Sequence, residues 1–155
     1  MVNIIFHYLL FQYNTNNLYI GSFDLNIEVS DTPIGCINAV PVNLYYPVYI
    51  EAILGTNVYK GNTICGISGN QYVDWYSVYN SYASSLTVST CGSNASTTTS
   101  ISVFSGTCDQ LECEGYTTTN CFPYGATIDV DVDSGKQYYV AVYGDYGYYQ
   151  IAFSW

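Results

Sequence analysis

The chain has 155 residues, enough for one domain with an arm to spare, and it carries 12 acidic residues against two lysines, Lys60 and Lys136, and no arginine. A net charge of −10 cannot neutralise phosphates or hold the protein to an anionic bilayer, which excludes nucleic acid as a partner and gives no means of electrostatic membrane adhesion. Tyr, Ser, Thr, Asn and Gly dominate the polar composition, as in secreted β-proteins that stay soluble through hydroxyls and amides.

The first element, MVNIIFHYLLFQYN, is apolar on both sides of an extended chain: Val2, Ile4, Phe6, Tyr8 and Leu10 on one side, Ile5, Leu9 and Phe11 on the other. MVN brings no basic n-region and FQYNTNN no small-residue cleavage site, and the apolar run is too short to span a bilayer. It is therefore expected to be a strand buried on both faces. Ordering about thirteen residues costs roughly 15 to 25 kcal/mol. Burying the large apolar side chains on both faces offsets about 12 to 24 kcal/mol, so the arm holds only if its backbone is paired as well.

After the polar joint NTNN, strand-like alternation runs through LYIGSFDLNIEVS, VYIEAIL, YVDWYSVY, SLTVST, SISVFSG, LECEGYT, ATIDVDVD, KQYYVAVYG and YYQIAFSW, with Gly, Pro and Asn-rich turns between. No window holds a helical stripe. The expected fold is all-β, a two-sheet jelly-roll-like sandwich over residues 31–155 with an extended N-terminal strand arm over 1–30.

Six cysteines, Cys36, Cys65, Cys91, Cys108, Cys113 and Cys121, accompany a single histidine and no close CxxC pair, a pattern of disulfides rather than zinc ligands. An oxidising compartment follows, and with it an extracellular or cell-surface protein. A hairpin reading of SISVFSGTC and LECEGYTTTNC pairs Cys108 with Cys113 and Cys91 with Cys121, which leaves Cys36 for Cys65. The sequon Asn94-Ala95-Ser96 lies in the polar stretch SNASTTTS and makes Asn94 the candidate glycosylation site.

From about residue 31 to 155, the ordered stretches DTPIGCINAV, VDWYSVY, SLTVSTCGSN, SISVFSGTC, LEC, SGKQYYVAVYG and YYQIAFSW resemble the cysteine-bearing branch of the pre-peptidase C-terminal-like domains. That resemblance implies a secreted jelly-roll-like module whose business is attachment, display or assembly. Relatives hold acidic residues where this chain reads NASTTTS and TTTN, so no calcium site is carried over, and no cofactor is expected. The segment 1–30 lies outside the resemblance.

Catalytic groups are not singled out. His7, inside the apolar arm, has the pattern of a packed strand residue, and no Ser-His-Asp set or free thiol accompanies it. Asp129, Asp131 and Asp133 alternate with Ile128, Val130 and Val132, which describes the wet face of a strand better than a calcium loop, since Ser134 stands where that loop needs glycine. No carboxylate pair is marked out for glycoside hydrolysis. The tyrosine clusters VNLYYPVY, GKQYYVAVYG and GDYGYYQ suit strands, and equally the stacking faces of a sugar site.

The expectation is a non-enzymatic structural subunit of an extracellular filament. Each copy donates Val2, Ile4, Ile5, Phe6, Tyr8, Leu9, Leu10 and Phe11 as a strand to its neighbour, so the partners are copies of the chain itself plus covalent glycans. The alternative is a secreted carbohydrate-binding or adhesion module whose N-terminal strand folds into its own domain, with NTNN as a hairpin turn.

Overall fold

In the computed structural model, the residues described are 35–44, 47–92 and 95–155, which fall within the unit Thr32–Trp155. Among these residues nine strands follow one 3-10 turn, Cys36–Asn38: β1 (Val40–Val42), β2 (Val48–Leu54), β3 (Tyr72–Asn80), β4 (Ser85–Ser89), β5 (Thr99–Thr107), β6 (Gln110–Thr117), β7 (Thr127–Asp131), β8 (Lys136–Gly144) and β9 (Gly147–Ser154). They form two sheets, ordered β1-β3-β8-β5-β6 and β2-β9-β4-β7. From β2 onward the chain passes repeatedly from one sheet to the other, the winding of a jelly-roll-like sandwich. Every pairing is antiparallel except that of β1 with β3.

The eight strand candidates from VYIEAIL to YYQIAFSW all form strands, and the ninth, LYIGSFDLNIEVS, lies outside the described residues. β9 shows why: Tyr149, Ile151 and Phe153 are buried while Tyr148, Gln150, Ala152 and Ser154 between them are partly exposed, the period of two of a half-buried strand. β1, Val40-Pro41-Val42, escaped the sequence reading. It is three residues long and holds a proline, which removes a ladder donor, and it exists only because β3 is there to pair with.

The core between the sheets is built from Tyr76 and Val78 of β3, Ile101 and Val103 of β5, Val140 and Val142 of β8, Leu86 and Val88 of β4, and Tyr149, Ile151 and Phe153 of β9. A second apolar cluster lies on the other side of the five-stranded sheet. There Val73, Trp75, Phe104, Ala141 and Tyr143 are covered by Tyr59 and Ile67 of the 55–71 connection and by Cys36. Strands β3, β5 and β8 are thus buried on both faces, which is the reason KQYYVAVYG reads as an almost unbroken apolar run.

The 55–71 connection turns back at Ile64–Ile67, whose backbone groups exchange hydrogen bonds of 3.0 and 2.9 Å. Cys65 (φ 47°) and Gly66 (φ 83°) both take the positive φ that a type I′ turn requires. A side chain on Gly66 would also strike Tyr116 and the Tyr143 hydroxyl, each 2.6 Å from a Cβ placed there.

All six cysteines are in disulfides, but two of the expected pairings are corrected. The bonds are Cys36–Cys108, Cys65–Cys113 and Cys91–Cys121, with Cα separations of 5.5, 5.5 and 5.9 Å. The β5–β6 hairpin turns tightly, Thr107 pairing with Gln110, so Cys108 sits at its tip while Cys113 stands opposite Phe104 further along the strand. Cys108 and Cys113 cannot meet across such a turn. Cys113 shares Phe104's face and meets the turn at Cys65, while Cys108 reaches the 3-10 turn at Cys36. The Cys91–Cys121 pairing is as expected.

Candidate functional site: four sheet edges and a polar core chain

A two-sheet sandwich has four edges, and unpaired backbone at each can template a further strand. Three of the four carry a device against it. β1 is three residues long with Pro41 at its centre. β6 holds Glu112 and Glu114, and Glu114 is the extra residue of a bulge, since Val103 pairs with Gly115 and Phe104 with Cys113. β7 is five residues long and presents Asp129 and Asp131 to solvent. Asp129 accepts a hydrogen bond from Thr87, and Asp133 just beyond is ion-paired to Lys136 at 2.6 Å. The reading of these aspartates as a wet strand face holds.

β2 differs from all three. It pairs with β9 over seven consecutive positions, from Val48 with Phe153 to Leu54 with Gly147, without a bulge or proline. Among the described residues its other side carries no strand. Glu51 is its single charge. On its outer face Tyr49 and Ile53 are 68% and 55% exposed. On its inner face Val48, Ile50 and Ala52 pack on the core yet remain only partly buried, as do Tyr72 and Trp155. The sandwich therefore has an apolar seam along β2. Past β1, Trp155 donates from Nε1 to the carbonyl of Leu44 at 3.0 Å, tying the end of the chain to this side of the fold.

No family model and no curated protein matches the chain.

Between the sheets runs a chain of three polar side chains. The hydroxyls of Tyr76 and Tyr149 are 2.6 Å apart, and Tyr149 donates to Asp74 Oδ2 at 2.9 Å. Burial raises Asp74 above the ordinary carboxylate range, against the lowering effect of the Tyr149 hydrogen bond. Burial likewise pushes Tyr76 up to about 12, the Tyr149 hydrogen bond opposing and Asp74 reinforcing the rise. Tyr149 is driven far above the usual tyrosine range by burial, then by its two neighbours. These groups satisfy one another and hold β3 to β9. Among the described residues no three His, Cys, Asp or Glu side chains come together.

An open depression of ≈ 340 Å³ lies beside the Cys36–Cys108 bond, bordered by Ile37, Ser77, Gln137 and Tyr139. It contains no charged side chain. Of the tyrosines put forward as a stacking surface, Tyr138, Tyr143 and Tyr149 are core residues, Tyr139 and Tyr148 are half-buried, Tyr49 on β2 and Tyr146 between β8 and β9 are exposed, and Tyr45 and Tyr46 lie outside the described residues. Phe122, the most exposed ring among the described residues at 98%, projects from the connection between β6 and β7.

The predicted donor residues Val2, Ile4, Ile5, Phe6, Tyr8, Leu9, Leu10 and Phe11, together with His7 and Asn94, lie outside the described residues. The β2 edge was missed by the sequence reading, although a signal for it was present. VYIEAIL is apolar on both faces, with one charge at its centre, the pattern that drew attention to the N-terminal arm.

Proposed function

We propose that this protein is a structural subunit of an extracellular filament, polymerising head to tail by donating its N-terminal strand to a neighbouring copy. The observation that carries the reading is the apolarity of both faces of residues 2–11, a segment ahead of a sandwich whose two sheets are assembled from residues 40–154. Such a strand needs cover on both faces and a paired backbone, and a head-to-tail contact between identical subunits supplies both without closing into a ring.

Three disulfides in a chain of this size suit an oxidising, extracellular setting. A glycan on Asn94 and membership of the cysteine-bearing pre-peptidase C-terminal-like modules belong to the same proposal. No enzymatic activity is part of it.

The test is electron microscopy of the purified protein beside a form lacking residues 1–14. Filaments that disappear with the arm support strand donation. Monomers in both preparations overturn it and turn attention to sugar binding by the monomer.

A further inference from the structure

We propose that β2 is the edge that accepts the donated strand, and that His7 of the arm lies opposite Glu51 in the new ladder. The inference rests on the filament reading above and assigns its docking surface.

The choice of edge follows from what a sheet edge must have to accept a partner. It needs a run of free backbone donors and acceptors in regular register, and side chains that an apolar strand can cover. β1 is too short and holds Pro41, β6 is bulged at Glu114, and β7 shows Asp129 and Asp131. Only β2, among the described edges, combines seven regularly paired residues with apolar side chains on both faces.

The occupant follows from the pattern of the arm. An added strand beside β2 would have one face toward the seam of Val48, Ile50, Ala52 and Leu54 and the other beside Tyr49 and Ile53. Both of its faces must then be apolar, which is true of residues 2–11. Charge fixes the register. Within residues 2–11 the one side chain that can take a positive charge is His7, and the one carboxylate of β2 is Glu51. Placing them opposite each other sets Ile4, Phe6, Tyr8 and Leu10 on the seam side and Ile5 and Leu9 beside Tyr49 and Ile53, in either strand direction. A slip of one residue reverses every one of these assignments. Residues 12–34 span at most ~80 Å when extended, enough for the arm to reach a neighbouring copy.

The experiment mixes two full-length chains, one carrying His7→Cys and the other Glu51→Cys, under conditions in which the unmodified protein forms filaments. The six native cysteines are all paired, so the introduced thiols are the free ones. Directly opposed strand residues stand close enough for a disulfide. Non-reducing peptide mapping should find the two introduced thiols joined between chains. A mixture of His7→Cys with Asp129→Cys, on the β7 edge, should give no such bond.

Filaments that form without a bond between positions 7 and 51 overturn this placement of the arm on β2 while leaving strand donation in place. A chain bearing both substitutions that bonds only within itself overturns the neighbour as the occupant. Absence of filaments from the unmodified protein removes the reading beneath the proposal, and the proposal with it.

Discussion

The hydroxyls of Tyr76 on β3 and Tyr149 on β9 meet at 2.6 Å inside the sandwich, and Tyr149 also donates to the Asp74 carboxylate at 2.9 Å. The arrangement links one strand of each sheet across an otherwise apolar core. It also gives the fold a dependence on pH at both ends of the scale.

At high pH the tyrosines destabilise the fold. Tyr76 is raised from 10.0 to about 12 by burial, so below pH 10 both states are protonated and the native contacts are fully retained. Between pH 10 and 12 the unfolded chain loses this proton while the native one keeps it, and stability falls as pH rises. Chemical denaturation across that range should show the decline, and Tyr76→Phe should lessen it.

Asp74 acts at the acid end in the opposite sense from a salt-bridged carboxylate. Its native pKa lies above the ordinary 3.8, so the folded state holds the proton more tightly, and the Asp74 contribution to stability grows as pH falls through the native pKa toward the unfolded one. Asp74→Asn keeps an acceptor for Tyr149 without a charge to desolvate. Relative to the parent, the variant should gain more at pH 7 than at pH 3 in urea titrations.

Gly35 lies against the Trp75 indole so closely that an added Cβ would sit 1.6 Å from Nε1. Trp75 also packs on Phe104, with ring centroids 5.5 Å apart, and cannot withdraw without disturbing the second cluster. Gly35→Ala should cost about 1 to 3 kcal/mol, read as a lowered denaturation midpoint.

The disulfide pairing separates two kinds of double variant. Each bond closes a loop of 30 to 72 residues, for which chain entropy predicts about 4 kcal/mol. Cys36→Ser with Cys108→Ser removes one bond, while Cys36→Ser with Cys65→Ser removes two and leaves Cys108 and Cys113 without partners. The second variant should lose about twice as much stability, up to about 8 kcal/mol.

Ile53 on β2 is more than half exposed, so Ile53→Lys should leave the stability of the sandwich within about 0.5 kcal/mol. A lysine on an open strand edge opposes the addition of an apolar strand. Filaments seen by electron microscopy in the parent should be lost, with the thermal midpoint of the monomer unchanged.

The sequence by itself determined the strands and the class. Apolar runs of strand length between turn residues located β2 through β9; YYQIAFSW and SLTVST alternate because one face is covered, while KQYYVAVYG is nearly all apolar because both are. It also placed Asp129 and Asp131 on the wet face of β7 and limited the cysteines to disulfides. Local pattern could go no further, since it has no term for which strand lies beside which.

Tertiary structure decided the rest. β1 exists only through its pairing with β3, and the tight β5–β6 turn sent Cys108 to Cys36 and Cys113 to Cys65. Asp74, Tyr76 and Tyr149 form one chain of hydrogen bonds only because β9 is laid across from β3, bringing together side chains up to 75 positions apart. The openness of β2 is likewise a property of the assembled sheets. VYIEAIL has the same composition wherever it lies, and it becomes an edge because β9 occupies one side of it and no strand among the described residues occupies the other.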